Sequence, residues 1–566
     1  MENILSKANP VKSTLILVLM LCIYVASSSE AAYAPGVPDP LFGLNETAPT
    51  WPDGWPSSSV VNHYYIDNNH VQATDTGNTY GFPDKPRLTI PEIEYPEGAY
   101  IEIHNGPYDG GGQVILSANG TKNLPVWVRG VSDADRATIT GEVILKGRYI
   151  ILENLHFRDT GRLGLRSHNS SSLSNAIIRN SEFSGSNINV GNSAAIGVSG
   201  QSSSNRFNHI VIYNNHIHDL GDYLSSSEND FHGIAVVTNA DHVWVLDNHV
   251  YHMAGDSIQI GTASTANENR VSHIYVSGNT FHEDRENAVD IKESDNVVIS
   301  SNTLWGYKHT SSSSGEVLVI HNEADNIWVI NNTVYNGNYG LLTSGSTNTW
   351  FIGNLIYNIH HDPEMPWDAS SGYSSGTAIH FRGNSDGGVV NNTIFGYDNG
   401  IQLTQGNGVG YSIYNNILSE RVEPDGVDIR SPNSTVSDSM AMDNNIIYHS
   451  TSSPAIYWEG YIFSVNEFKN TYEICNNCVS SDPFFVDQTA IDLSIKPYSI
   501  EANITSPAMN TGVLHPAYST FDSIFGESIL FDMTGRAKPS GKSMEIGSFE
   551  IVAPSPPDNV SVIRSN

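Results

Sequence analysis

Residues 273–332 read HIYVSGNTFHEDRENAVDIKESDNVVISSNTLWGYKHTSSSSGEVLVIHNEADNIWVINN. Three alternating runs in this stretch close on an asparagine, at Asn279, Asn302 and Asn332, and two further runs, AVDIK and EVLVIH, lie between them. Alternation of apolar and polar residues over so short a run marks a half-buried β-strand, whose successive side chains point to opposite faces. In AVDIK, Val289 and Ile291 face one way and Asp290 and Lys292 the other. In VLVIH, Leu318 and Ile320 point in, and Val319 and His321 point out. Ionisable groups therefore project from neighbouring repeats at about the same place.

The same unit recurs on both sides. Its closing segments include IILENLHF at Asn154, AIIRNSEF at Asn180, IVIYNNHI at Asn215, VWVLDNHV at Asn248, WFIGNLIY at Asn354, VVNNTIF at Asn392, SIYNNIL at Asn416 and DNNIIY at Asn445. The spacing is mostly about 22 to 38 residues, in the range of solenoids and repeat arrays. No segment carries apolar residues at helical spacing. Asparagine suits a turn that must repeat, because it tolerates the left-handed region and bonds its own backbone. Stacked coils would then align the asparagine amides in a ladder. The recurring V-x-x-N-x-φ unit resembles the right-handed parallel β-helix, the pectin-lyase-like fold, over about residues 140–450. That fold hosts lyases, hydrolases, epimerases and adhesins, so the resemblance names an architecture and not a reaction.

The remaining chain divides around this solenoid. Lys7 and Lys12 precede the apolar run TLILVLMLCIYVA, and small residues follow, which predicts a secretory signal over residues 1–31. The run is too short to favour a stable membrane span. Residues 32–60, rich in Pro, Ser and Gly, read as an extended leader, and residues 61–138 as an N-terminal strand and cap. Regular coils are expected over 139–450, irregular C-terminal coils and a cap over 451–551, and a Pro-rich tail over 552–566. A cap covers strand edges that would otherwise invite aggregation. Within 451–551 a short helix is expected after Trp458, and Cys475 and Cys478 in CNNC are expected to form a local disulfide.

The chain carries 60 acidic against 27 basic residues, a formal charge of −33. That balance argues against nucleic acid as a partner. It also means that an acidic glycan could be held only where cations are gathered locally. The expected protein is thus exported, at the cell surface, in the periplasm or outside the cell, without a membrane span, and monomeric.

Such a face stacks side chains of successive coils about 4.8 Å apart and suits a linear polymer. The outward positions are Gln259, Asp290, Lys292, His321, His380, Arg382, Gln402, Thr404, Asp428 and Arg430; His232 and Asp256 precede the strands GIAVV and SIQI. Lys292 and His321 are the closest match in register, and Glu293 and Glu323 follow them at the strand ends. β-Elimination from a uronic acid needs a base for the C5 proton, a neutralised carboxylate and a proton donor at O4. A lysine of lowered pKa can serve as the base, and His or Arg as donor or charge stabiliser. Lys292, His321 and Arg382 are therefore the expected catalytic groups, with Asp290, His380, Glu323 and Gln259 contacting substrate. Calcium, an oxygen-seeking cation, could bridge the substrate carboxylate, and Glu283, Asp284 and Glu286 of HEDREN are its expected ligands.

The segment DIKESDNVVISSNTLWG…VLVIHNEADNIWVINNTVYN is similar to the core of the alginate and dermatan lyases of polysaccharide lyase family six. The resemblance puts Lys292 at that family's base and His321 on or near its acid, an arginine there. The family's two calcium-binding glutamates fall on Arg285 and Asn287, so that ligand set does not carry over. VDIK is also a partial match to β-helical pectate lyases. The leading expectation is an exported β-helix lyase for an acidic polysaccharide. The alternatives are a non-catalytic glycan-binding or adhesive solenoid, and a hydrolase or epimerase on the same fold.

Overall fold

The computed structural model describes residues 33–551, apart from 41–42, 50–54, 160–161, 167–172, 187–192, 201–206, 225–229, 264–268, 364–374, 384, 405–409, 439, 496–497, 500–503 and 540. The expected signal over 1–31 and tail over 552–566 lie outside the described residues. The chain winds as a parallel β-helix. One coil illustrates it: Val289–Lys292 in sheet A, Asp295–Ser300 in sheet B and Thr303–Tyr307 in sheet C. Each strand pairs in parallel with its counterpart one coil on, Val289 with Leu318, Val297 with Ile327 and Leu304 with Val334. Inward residues such as Ile291, Ile299 and Leu304 are fully buried in one continuous core.

The corner between sheets B and C divides between two adjacent residues the work expected of one asparagine. The first residue has positive φ: 50° at Asn214, 52° at Asn331, 56° at Asn391 and 58° at Asn415. The second is buried and forms the ladder. Asn215, Asn248, Asn279, Asn302, Asn332, Asn354, Asn392, Asn416 and Asn445 pass a hydrogen bond from each Nδ2 to the next Oδ1 at 2.9–3.0 Å. Each receiving Oδ1 also takes a backbone N–H of the preceding coil, as Asn302 does from Asn279 at 2.9 Å. Asn154 and Asn180, expected to belong to this row, occupy the positive-φ position instead, and Ser181 donates its N–H to Asn215 where the ladder would continue.

Coils begin earlier than the expected boundary at Ile139. His63–Asp67 already pairs with Tyr100–His104, which pairs with Val126–Gly130. These first coils lack the asparagine ladder and are joined by long irregular turns, so their period is hidden in the sequence. The leader is not free either. Val37 is fully buried, and the backbone carbonyls of Pro35 and Pro38 accept from Ser300 and Trp244 on the outer face of sheet B. The helix Ala517–Phe525 covers the same face, with the Phe521 ring edge-on to Trp328 at 5.0 Å. Residues 531–539 and 541–551 run back irregularly over the coils, with Asn331 donating to the Phe531 and Asp532 carbonyls. The expected short helix forms at Val465–Tyr472 with a Ser464–Glu467 capping box, and Cys475 bonds Cys478. No helix among the described residues is long and apolar enough to cross a membrane.

The ladder makes a stability prediction. Asn302→Ala leaves the Asn279 N–H unpaired in the core, at a cost of about 1–3 kcal/mol, and removes one ladder bond each from Asn279 Nδ2 and Asn332 Oδ1. The urea midpoint should fall by the equivalent of about 1–3 kcal/mol at unchanged m-value, while Asn123→Ala, at an exposed bend, should shift it far less.

Candidate active site

Sheet B is covered on its outer side and sheet C carries a row of stacked rings, Tyr251, His282, Trp305, Tyr335 and Tyr357. Sheet A is open over the coils around Gly197, Gln259 and Val319, whereas Leu342, His380 and Gln402 further along its row are buried. Its outward row runs through Gly164, Gly197, Ala235, Gln259, Asp290 and Val319, one residue per coil. The small residues floor a trough of about 580 Å³, bordered by Arg162, Ser199, His232 and Gln259; Asp290 is the register partner of Gln259 one coil beyond it. A Cβ added at Gly197 would meet nothing within 4 Å.

Lys292 and His321 are register partners on adjacent coils, as expected. Asp290, two residues before Lys292 on the same side of its strand, lies between them. Lys292 Nζ is 2.6 Å from Asp290 Oδ2, and His321 Nε2 is 2.7 Å from Oδ1. Burial alone would push the Asp290 carboxyl up, but the His321 hydrogen bond and the Lys292 charge outweigh it and hold it below its ordinary value. Burial likewise works against the Lys292 ammonium, yet the charge and hydrogen bond of Asp290 win, with smaller help from Asp256 and Glu286, so its pKa rises. This corrects the expectation of a lysine lowered toward neutrality. The lysine has a carboxylate for its nearest charge.

Beside this pair lies a buried group whose members the sequence offers separately, Glu286 as an expected calcium ligand and His232 and Asp256 as residues preceding strands, without showing that they meet. His232, Asp256 and Glu286 bring ligand atoms within 4.8 Å of one another, and all three are buried. His232 Nδ1 is 3.1 Å from Asp256 Oδ2. Asp256 Oδ1 accepts from Asn287 Nδ2 at 2.8 Å, whereas Oδ2 receives no hydrogen bond from the described residues. Burial and the Asp290 charge push the Asp256 carboxyl up, and burial and the Asp256 charge push Glu286 up to about 8. Three carboxylates, Asp256, Glu286 and Asp290, thus crowd one end of the trough. A buried, unsatisfied carboxylate oxygen facing an imidazole and a second carboxylate fits a divalent cation. One nitrogen and two carboxylates suit manganese, iron or zinc better than calcium, which collects six to eight oxygens.

The calcium ligands expected in HEDREN do not converge. Glu283 has φ 56° and turns out to His282 at 3.0 Å. Asp284 turns in, accepting from Ser257, from Tyr307 at 2.9 Å and from the Met253 N–H at 2.8 Å. Only Glu286 reaches the cluster. The three residues span a corner, where direction changes at every residue, so their closeness in sequence did not mean closeness of carboxylates. Gln259 lies beside Asp290 in the outward row, as expected. Arg382 is exposed and follows His321 along its row only after Ser344, two coils on, about 9.6 Å away. It is outside contact with the pair, contrary to its expected catalytic role. Glu323 is an exposed turn residue with φ 59°. His380 is 2% exposed, with Nε2 3.0 Å from Thr404 Oγ1, so it does not present itself to a substrate.

The pairing predicts a titration. Asp290→Asn removes the anion that raises Lys292, so the ammonium should lose its proton at lower pH than in the wild type, read by NMR of the Lys292 side chain. An unchanged titration would show that the two do not share a charge.

The family described as a right-handed β-helix region matches residues 141–324. No curated protein matches the chain. Among solved structures, a mannuronic acid-specific polysaccharide family 6 lyase from human gut microbiota is similar at 15% identity, over 67% of this chain and 89% of its own, with TM-score 0.40. A family 6 lyase from Pseudopedobacter saltans is similar at 13% identity, over 74% and 96%, with TM-score 0.42. A GH136 lacto-N-biosidase from Eubacterium ramulus is similar at 12% identity, over 74% and 67%, with TM-score 0.35. At such identities these likenesses do not bear on chemistry. The parallel register and the matched region together make the chain a right-handed parallel β-helix.

Proposed function

We propose that the protein is a carbohydrate-active enzyme that cleaves an acidic polysaccharide by β-elimination on the open face of sheet A. The observation that supports this most is the shared carboxylate: Asp290 binds Lys292 and His321 side by side one coil beyond the trough. An acidic chain is drawn to the Lys292 ammonium although the protein as a whole carries −33. The leader-like run at the N-terminus supports export to where such polymers occur.

The pairing assigns the roles. Asp290 accepts from His321 Nε2–H, which fixes the tautomer and leaves Nδ1 able to take a proton. His321 removes the C5 proton through Nδ1. The C4–O4 bond breaks as the C4–C5 double bond forms, and Lys292, already an ammonium, gives O4 a proton. Lys292 thus exchanges the base role for which its sequence position marked it, because Asp290 keeps it charged. His232, Asp256 and Glu286 would hold a divalent cation, which when bound would neutralise the substrate carboxylate. Gly197 and Ala235 leave room for neighbouring sugar residues.

A second reading, hydrolysis, draws on one observation: Glu286 is pushed up to about 8 while Asp290 is held low, the split that separates a general acid from an ionised partner. Both Asp290 oxygens are engaged, one by the Lys292 ammonium and one by the His321 ring, which leaves it poorly placed as a nucleophile or water base.

Incubation with alginate, pectate and dermatan sulfate decides between the readings. Elimination predicts the ultraviolet absorbance of an unsaturated uronate; reducing ends without that band would establish hydrolysis, and neither would leave a binding protein. Lys292→Ala and His321→Ala should each cut kcat by about 10²–10⁴-fold. Lys292→Arg, which keeps a cation but cannot act as a base at neutral pH, should retain measurable turnover; if it is as inactive as Lys292→Ala, the roles are reversed.

A further inference from the structure

We propose a second, solvent-facing metal site, formed by Asp241, His242 and His273 at the corner where the chain passes from sheet A to sheet B. It rests on a row of residues with one backbone conformation. Asn175, His209, His242, His273, Asn296, Asn326 and Asn348 take the same place in seven successive coils, all with φ between 49° and 59°. Asparagine and histidine both tolerate this region. Four coils use asparagine, and three consecutive ones replace it with an imidazole.

The imidazoles stack, His209 on His242 at 5.4 Å and His242 on His273 at 4.6 Å, with planes within 10°. Asp241, in the turn of the middle coil, brings Oδ1 to 2.7 Å from His242 Nδ1 and 3.2 Å from His273 Nδ1. The three ligand atoms lie within 4.8 Å of one another. Ser272 Oγ is 2.7 Å from His273 Nδ1, so that nitrogen is shared between the Ser272 hydroxyl and the Asp241 carboxylate. With the two imidazoles deprotonated, an ion among these three ligand atoms would take the place of the protons that now bridge them. A metal about 2.0–2.2 Å from each atom would need the group to open by less than an ångström. Two imidazoles and one carboxylate select zinc, copper or nickel over calcium or magnesium. His242 and His273 are partly exposed, their side chains at 38% and 34%, so water can fill the remaining coordination positions. A bound ion would tie adjacent coils and raise stability by mass action.

This site is separate from the buried His232–Asp256–Glu286 group and stands whether or not the enzyme reading does. The repeat itself supplies the test substitution, since asparagine fills the same backbone place in four coils. Zinc is titrated calorimetrically into the full chain, and copper is followed by EPR. His242→Asn/His273→Asn should keep the metal-free Tm, bind one ion fewer than the wild type, and lose both the copper signal with nitrogen hyperfine structure and the zinc-dependent rise in Tm that belong to this site. Asp256→Asn should keep them. His242→Asn alone should weaken binding at least tenfold. A double variant that binds as many zinc ions as the wild type, with the same affinity and copper spectrum, overturns the proposal.

Discussion

Everything in this molecule depends on coil-to-coil register, and the asparagine ladder is the interaction that makes slippage expensive. A parallel ladder slipped by one residue would turn every side chain to the wrong face. The corner asparagines oppose that slip with side-chain bonds specific to one alignment. Asn302, for example, links three coils through Asn279 and Asn332. The apolar core drives the winding, but many aliphatic contacts would tolerate a shift that these buried amides would not. Fixed register is also what brings His321 opposite Lys292 and stacks His242 beneath His273.

The open face then becomes a problem of charge. The chain is strongly acidic, and three carboxylates stand together at one end of the trough. They coexist because each has a different remedy. Asp290 is ionised and shared by the Lys292 ammonium and the His321 ring, Glu286 is pushed toward the protonated form by burial and Asp256, and Asp256 keeps one oxygen against Asn287 and the other toward His232. The same arrangement that makes the lysine a poor base makes it a permanent cation, and it frees the far nitrogen of His321 for proton transfer. A site of this kind concentrates attraction for an anionic polymer in a few ångströms while the rest of the surface repels it.

Much of this was legible in the sequence because strand alternation is local. AVDIK and EVLVIH announce which residues point outward, and the repeat of asparagines announces that coils stack. Lys292, His321, Asp290 and Gln259 follow from those two facts. What was not legible lies at corners. Between Thr280–His282 and Val289–Lys292 the chain turns at almost every step, so HEDREN sends Glu283 out, Asp284 in and Glu286 across to Asp256. His232 and Asp256 come from two earlier coils, and only the closed winding shows that they meet Glu286. Outward position was also an incomplete guide to access, as buried His380 shows. Likewise the coils before Ile139 carry no ladder asparagine, and their pairing rests on backbone register that no local pattern reveals.

The central claim is that one carboxylate joins Lys292 and His321 into a single functional unit. A double-mutant cycle in kcat/KM, with Lys292→Ala, His321→Ala and the pair together, tests it most directly on whichever polysaccharide the enzyme turns over. The account predicts strong non-additivity, the double variant being scarcely slower than either single one. Losses that multiply, as for two residues acting independently, would contradict it.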